Sequence, residues 1–217
     1  MSTSPITLAV LVSGSGTTLQ NLIDHIADGR LKASIAIVIA SRSGIGALDR
    51  AAKARLMNFV VEKSASATPA DFSKKVFSLC NDAGASLVCM AGWLSLLEIP
   101  PEFAGRVLNI HPALLPSFGG PGMYGAKVHQ AVINHGCKVS GCTVHFVDAE
   151  YDNGPIILQR TCPVLDDDTP RTLAERVFHE ETIAYPQAIR LYQAGRLKIE
   201  GRRVRVGAEP ACTEKGS

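Results

Sequence analysis

The chain opens its ordered pattern with a run that is apolar and β-branched along almost its whole length, Ile6 to Val12, and this run stops at Ser13-Gly14-Ser15-Gly16. A strand with apolar side chains on both faces has to be covered on both faces, the situation of a parallel sheet flanked by helices. Further runs of this kind stand at residues 34–40, 58–61, 86–91 and 107–110, and segments with helical spacing lie between them at 18–27, 45–57 and 69–83. That interval is the one expected of right-handed βαβ units. The first half therefore predicts an α/β fold, Rossmann-like and doubly wound, with a mostly parallel sheet.

Past the Gly- and Pro-rich stretch 116–125 the pattern changes. A helical segment at 126–134 leads to residues 138–148, where Val139, Gly141, Thr143, His145 and Val147 alternate with Ser140, Cys142, Val144 and Phe146. A second strand is expected at 155–164, and the turn Asp152-Asn153-Gly154 between them predicts an antiparallel pair. Thr169 with Pro170 and Glu175 opens a helix to about Gln193, with Gly195 as its stop. Residues 1–200 are expected to form one domain, and the polar segment 201–217 a flexible C-terminal tail.

Composition narrows the function. A chain of 217 residues, 46% hydrophobic and 19% charged, suits one core. The net charge of +2 is spread along the chain, which argues against a nucleic-acid or membrane-surface partner. Met1 to Pro5 carries no basic n-region, and no stretch approaches the roughly 20 apolar residues of a membrane-spanning helix. Cys80, Cys89, Cys137, Cys142, Cys162 and Cys212 form no C-x-x-C pair. No metal site is expected, and reduced thiols in a cytoplasmic protein are, with Cys80, Cys89 and Cys142 in the core. Trp93 is read as packing support.

Ser13 to Thr18 joins a buried strand to a helix, where backbone N–H groups and the positive helix end can hold a phosphate. The bland alternative is a tight turn capped by Thr17. The Lys-Ser/Thr pair of a nucleoside-triphosphate loop is missing. A dinucleotide fingerprint would want a glycine near Leu19 and an acidic residue after the second strand, where this chain has Ser41-Arg42. Arg42 could meet the 2′-phosphate of NADP, which keeps an NADP-dependent oxidoreductase as the alternative. A bulky residue at Gly16 is expected to obstruct the phosphate.

Val107 to Pro116 carries the strongest chemical signal. Asn109 and His111 are two apart, so on a strand they project to one side, at the carboxyl end where open α/β sheets bind ligands. A lone His there would be an ordinary hydrogen-bonded core residue; an Asn and a His on one face, followed by two prolines, are harder to explain by packing. The loop 148–155 is by itself a solvated hairpin turn, but beside Asn109 and His111 it supplies a carboxylate that can orient and charge an imidazole. An amide donor, a His and an Asp with no Ser or Cys nucleophile suit direct attack of an amine on an acyl carbon.

These strings, with Leu19-Gln20, Leu114-Leu115-Pro116, Val144 to Asp148, Asp152 to Ile156, Tyr185-Pro186 and Gly195-Arg196-Leu197, resemble the glycinamide ribonucleotide formyltransferase family of purine synthesis from Thr7 to about Lys198. The resemblance implies the formyltransferase fold with an antiparallel C-terminal strand pair, and transfer of the formyl group of 10-formyltetrahydrofolate to the amine of glycinamide ribonucleotide. It implies that Asn109 and His111 polarise the formyl oxygen while Asp152 pairs with His111 and helps move the proton. It further implies folate contacts from Leu94, Ser95, Leu96, Leu97 and Asn109, closed over by Asp148, Ala149, Glu150, Tyr151 and Asp152. Gly16, Thr17 and Thr18 would hold the phosphate and Glu181 the glycinamide end. The family commonly has Asn at the place of Thr18, and an Arg that some members place before the third helix is here Pro69 or a neighbour. A cis Leu115-Pro116 bond is expected on the same resemblance, in a stretch that must reverse before Gly119-Gly120. A homodimer is left open, as are formylation of a sugar-nucleotide amine and a non-catalytic folate-binding role; the last has no need for Asn109, His111 and Asp152 together. With about 20 residues after Leu197, the added domain of a methionyl-tRNA formyltransferase is not expected, nor is the N-terminal regulatory domain of a formyl-folate hydrolase.

Overall fold

In the computed structural model, which describes residues 4–208, Ile6–Val12 forms strand β1, and Leu8 to Val12 have no exposed surface. β1 lies between β2 (Ala33–Ala40) and β4 (Leu87–Met90) and runs parallel to both. Its two faces feed two apolar clusters. Leu8, Val10 and Val12 pack with Leu19 and Leu22 of helix α1 (Thr17–Ala27) and with Val177 and Tyr185 of α5 (Pro170–Gln193). Ala9 and Leu11 pack with Phe72 and Val76 of α3 (Pro69–Asp82). Double coverage is why the run has almost no polar residue.

Among the described residues the sheet has nine strands; β3 is Asn58–Val60, β5 Val107–His111, β6 Val139–Phe146, β7 Ile156–Pro163, β8 Leu197–Glu200 and β9 Arg203–Val206, and the order is β3-β2-β1-β4-β5-β6-β7-β9-β8. β3 to β5 are parallel; β6 (Val139–Phe146) and β7 (Ile156–Pro163) join antiparallel, as the alternation and the Asp152-Asn153-Gly154 turn predict. The order reverses between β1 and β4, and a crevice opens beyond the carboxyl ends of strands at such a point. The Leu115-Pro116 bond is cis.

Helix α5 sets the depth of that crevice. Tyr185 is fully buried, and its hydroxyl lies 3.0 Å from the carbonyl oxygens of both Met90, the last residue of β4, and Leu108 within β5. Pro186 has no N–H to give to the Thr182 carbonyl. Asn21 of α1 fills the gap, donating to that oxygen at 3.2 Å. The helix stays continuous, and Glu181, one turn before Tyr185, falls on the same face.

Two expectations change. Helix α2 spans Gly46–Lys53 and not 45–57, because Arg55 takes a left-handed φ of 56° that closes it. The segment expected to be a tail from residue 201 begins as structure: β8 (Leu197–Glu200) and β9 (Arg203–Val206) form a hairpin, and Arg203 pairs with Ile156 on the open edge of β7. Arg202 donates to the Asn153 carbonyl at 2.8 Å, and Val204 packs on the core. Such a two-sided edge hairpin keeps its arginines in water, so its composition reads as loop. Residues 209–217, Cys212 among them, lie outside the described residues. Cys80, Cys89 and Cys142 are buried free thiols pushed up to about 12 by burial. No helix among the described residues is long and apolar enough to cross a membrane.

Candidate active site

The glycine turn is built from backbone. Ser13 follows β1, its N–H given to the Gly92 carbonyl at 3.1 Å, and its hydroxyl accepts from Ser41 and from the Leu94 amide. Gly16, not Thr17, caps α1, with a left-handed φ of 77°. A Cβ at Gly16 would stand 2.6 Å from the Cα of Ala47 in α2. The glycine therefore permits close approach of α2, and a side chain there would collide with that helix before it could obstruct a ligand. Thr17 and Thr18 face the crevice, a cleft of about 640 Å³.

Across the cleft, β5 presents Asn109 and His111. The Asp152 Oδ1 atom lies 3.4 Å from Nδ1 of His111 and accepts from Nδ2 of Asn109 at 3.4 Å. Its Oδ2 accepts from the Gly120 amide at 2.9 Å. Nε2 of His111 lies 2.8 Å from the carbonyl oxygen of Phe118. Both ring nitrogens of His111 thus face acceptors, and the ring satisfies both contacts only when it carries two N–H groups. Asp152 holds a left-handed φ of 52° and Phe118 one of 55°, conformations that cost a non-glycine residue free energy and concentrate at functional sites. Gly119 lets these loops meet, since a Cβ there would lie 2.5 Å from Leu115 Cδ2 and 3.2 Å from Asp152 Cβ.

The same cleft is lined by Leu94, Trp93, Tyr151 and Glu181. Glu181 sits deep in the fold with part of its surface on the cleft, and burial pushes its carboxyl up to about 7. A narrower pocket of about 40 Å³ adjoins it, lined by Ser95, Leu96, Leu97, Asn109, Glu150, Tyr151 and Asp152. The Tyr151 hydroxyl accepts from the Leu96 amide at 3.1 Å, drawing the acidic loop over the 94–97 segment. Asp148 and Ala149 line neither cavity; the Asp148 carboxylate ties the loop by accepting from Glu150 N–H and Asn153 Nδ2. Leu97 lies in the core and Trp93 stacks on Phe72, with centroids 5.9 Å apart. No cluster among the described residues could hold a metal ion.

The formyl transferase family model matches residues 6–189. The chain belongs to the formyl transferase family. Within the family it is similar to glycinamide ribonucleotide transformylase 1 of Symbiobacterium toebii, with 42% identity, a TM-score of 0.87, and coverage of 94% of this chain and 95% of that one. The chloroplastic phosphoribosylglycinamide formyltransferase of Arabidopsis thaliana is 38% identical over 84% of this chain, and the trifunctional purine biosynthetic protein adenosine-3 of Gallus gallus 36% identical over 91%. The chain spans 63% of the Arabidopsis protein and 19% of the Gallus protein.

This formyl transferase carries two site histidines that reading the sequence alone does not single out. His145 pairs in register with Asn109 across β5 and β6. Its Nδ1 lies 2.7 Å from the Phe146 carbonyl oxygen, leaving Nε2 to accept from Asn109 Nδ2 at 3.1 Å. Burial holds its pKa below the ordinary value, so the neutral ring that this bonding needs is the favoured one. His129 of helix α4 (Ala126–Asn134) lines the cleft, its Nδ1 buried without a hydrogen-bond partner among the described residues, and burial and the neighbouring His111 hold its pKa down too. The period-two alternation already put His145 on the face of Thr143; register with β5 is the missing signal. Nothing in the helical spacing marks His129.

Proposed function

We propose that the protein transfers the formyl group of 10-formyltetrahydrofolate to the amine of glycinamide ribonucleotide in de novo purine biosynthesis. The observation that carries this reading is one cleft bounded at one end by amides and hydroxyls of Thr17 and Thr18 that have no partner among the described residues and at the other by Asn109, His111 and Asp152, with Glu181 of α5 on its wall. Thr17 and Thr18 take the phosphate, while Gly16 lets α1 start where its N-terminal amides face that phosphate. Glu181 takes the glycinamide end. The pterin enters between Leu94 to Leu97 and the loop 148–152, where the Tyr151 to Leu96 bond must open to widen the pocket.

The amine nitrogen attacks the formyl carbon directly, the bond from that carbon to the folate nitrogen breaks, and the amine's proton passes to the departing nitrogen. Asn109 Nδ2 and His111 donate to the formyl oxygen as it gains charge, His111 by turning its Nε2–H away from the Phe118 carbonyl while Nδ1 stays on Asp152. The long Asn109 to Asp152 contact is the bond that yields to it, since the Asn109 to His145 bond is shorter. Asp152 balances the His111 ring and relays the proton. The free thiols of Cys80, Cys89, Cys137, Cys142 and Cys162 suit a reducing compartment such as the cytoplasm. Incubation of the protein with 10-formyltetrahydrofolate and glycinamide ribonucleotide should release deformylated folate and a formylated ribonucleotide in equal amounts. Release of folate without a formylated amine would replace transfer by hydrolysis.

A further inference from the structure

We infer that Arg42 and Arg50, which lie outside the cleft, tune the phosphate subsite by holding the carbonyl groups of the glycine turn away from the anion. The inference rests on the phosphate reading of that turn. A backbone turn binds an anion only if its N–H groups face the ligand and its carbonyl oxygens, which would repel it, face elsewhere. Each of the three carbonyls ahead of Gly16 is tied on the side of β2 and α2. The Ser13 oxygen accepts from Arg42 Nε at 3.2 Å, the Gly14 oxygen from the Ala47 amide at 3.2 Å, and the Ser15 oxygen from Arg50 Nε at 2.9 Å.

The N–H groups tell the complementary story. The first helical bond of α1 is Gln20 N–H to the Gly16 oxygen, and the N–H groups of residues 15–19 make no hydrogen bond with described residues. Thr17 and Thr18 stand on the cleft wall, and α1 has no acidic residue in its first turn. Arg50 is fixed by a second bond, from Nη1 to Gln20 Oε1 at 3.1 Å, so it joins α2 to the turn and to the first turn of α1. Its side chain lies under Gly16, with Cδ 3.2 Å from where a Cβ would be. The two guanidinium groups therefore act twice. They hold the oxygens back, and they add positive charge behind the turn without touching the ligand. Arg42, the residue that on the sequence alone could have met an NADP phosphate, is spent on the Ser13 carbonyl.

Arg50 is a positioning residue, and the test separates positioning from folding. Ribose 5-phosphate binding to the whole protein, measured by calorimetry and by the amide shifts of Gly16, Thr17 and Thr18, needs no transfer activity. Arg50→Met should weaken that binding about tenfold, as for loss of a charged hydrogen bond, and raise KM for the phosphorylated amine by a similar factor with kcat and folate affinity little changed. Arg42→Met, at an exposed position, should have a smaller effect of the same kind. Gln20→Leu frees the second anchor of Arg50 and should shift KM in the same direction even if Arg50→Met fails to fold. Binding of ribose 5-phosphate unchanged in Arg50→Met and Gln20→Leu, loss of kcat with KM held, or no binding by the wild-type protein would each overturn the inference. Arg50-dependent phosphate binding in a protein that transfers no formyl group would leave the inference standing and remove the proposed function.

Discussion

The two ends of the cleft are made differently. The glycine turn offers backbone amides, and what it asks of the sequence is conformation: a left-handed Gly16, a close Ala47 and carbonyls tied from outside. The cluster across from it offers side chains from β5, β6 and the 148–152 loop, each hydrogen-bonded to the next. Damage to the first should appear in substrate affinity and stability. Damage to the second should appear in turnover, because a side chain that stabilises developing charge acts on the transition state and not on ground-state binding.

The sharpest way to break that contrast is to remove the cluster's members. Asn109→Ala, His111→Ala and Asp152→Ala should each lower kcat by about two orders of magnitude or more in steady-state assays, with the phosphorylated substrate's KM changed much less. A loss confined to KM would put the cluster in the same class as the turn. Next in size is Gly16→Val. Its Cβ would collide with Ala47 and its φ would be strained, so about 2–4 kcal/mol of stability should go, read from urea unfolding. A stable Gly16→Val with unaltered KM would mean that α2 does not brace the turn.

A third prediction sharpens the boundary between the two ends, at Glu181. Burial raises its carboxyl to about 7 in the folded protein, against about 4.3 in an unfolded chain. The folded state then keeps a proton that the unfolded state has released, so stability contributed by this group is full below about pH 4.3 and falls until about pH 7, by at most about 4 kcal/mol. The opening of Glu181 onto the cleft reduces that figure. Glu181→Gln should flatten this part of the stability curve and make the protein more stable at pH 8, by urea unfolding across the range. An unaltered curve would place Glu181 in water. Smallest is Tyr151→Phe, which removes the acceptor of the Leu96 N–H and should change folate KM by about threefold or less, with the phosphorylated substrate unaffected.

Much of this arrangement was legible in the residues because it follows short-range rules. The continuous runs of β1, β2, β4 and β5 mark largely buried strands, whereas β3 carries the same kind of run at an exposed edge, and the alternation in β6 marks the change to antiparallel pairing. Asn109 and His111 share a side of one strand, so a count of two suffices. What stayed hidden depends on register or on direction. His145 acquires its place from lying opposite Asn109, and His129 from the way α4 packs over the cleft. The Gly16 side-chain position points at α2, which no pattern in Ser13 to Thr18 reveals. The β8 and β9 hairpin needs the free edge of β7, a fact about the sheet and not about residues 197–206.

Comparison of kcat/KM for glycinamide ribonucleotide with that for the same amine lacking its phosphate, in wild type and in His111→Ala, tests the division of labour and the activity together. Removal of the phosphate should lower wild-type kcat/KM by at least about a hundredfold, mostly through KM, as expected for lost contacts to a charged group. His111→Ala should lower kcat for both amines by about the same factor. Equal wild-type rates with the two amines, or a His111→Ala protein that turns over glycinamide ribonucleotide normally, would contradict the assignment of the turn to phosphate and of the cluster to formyl transfer.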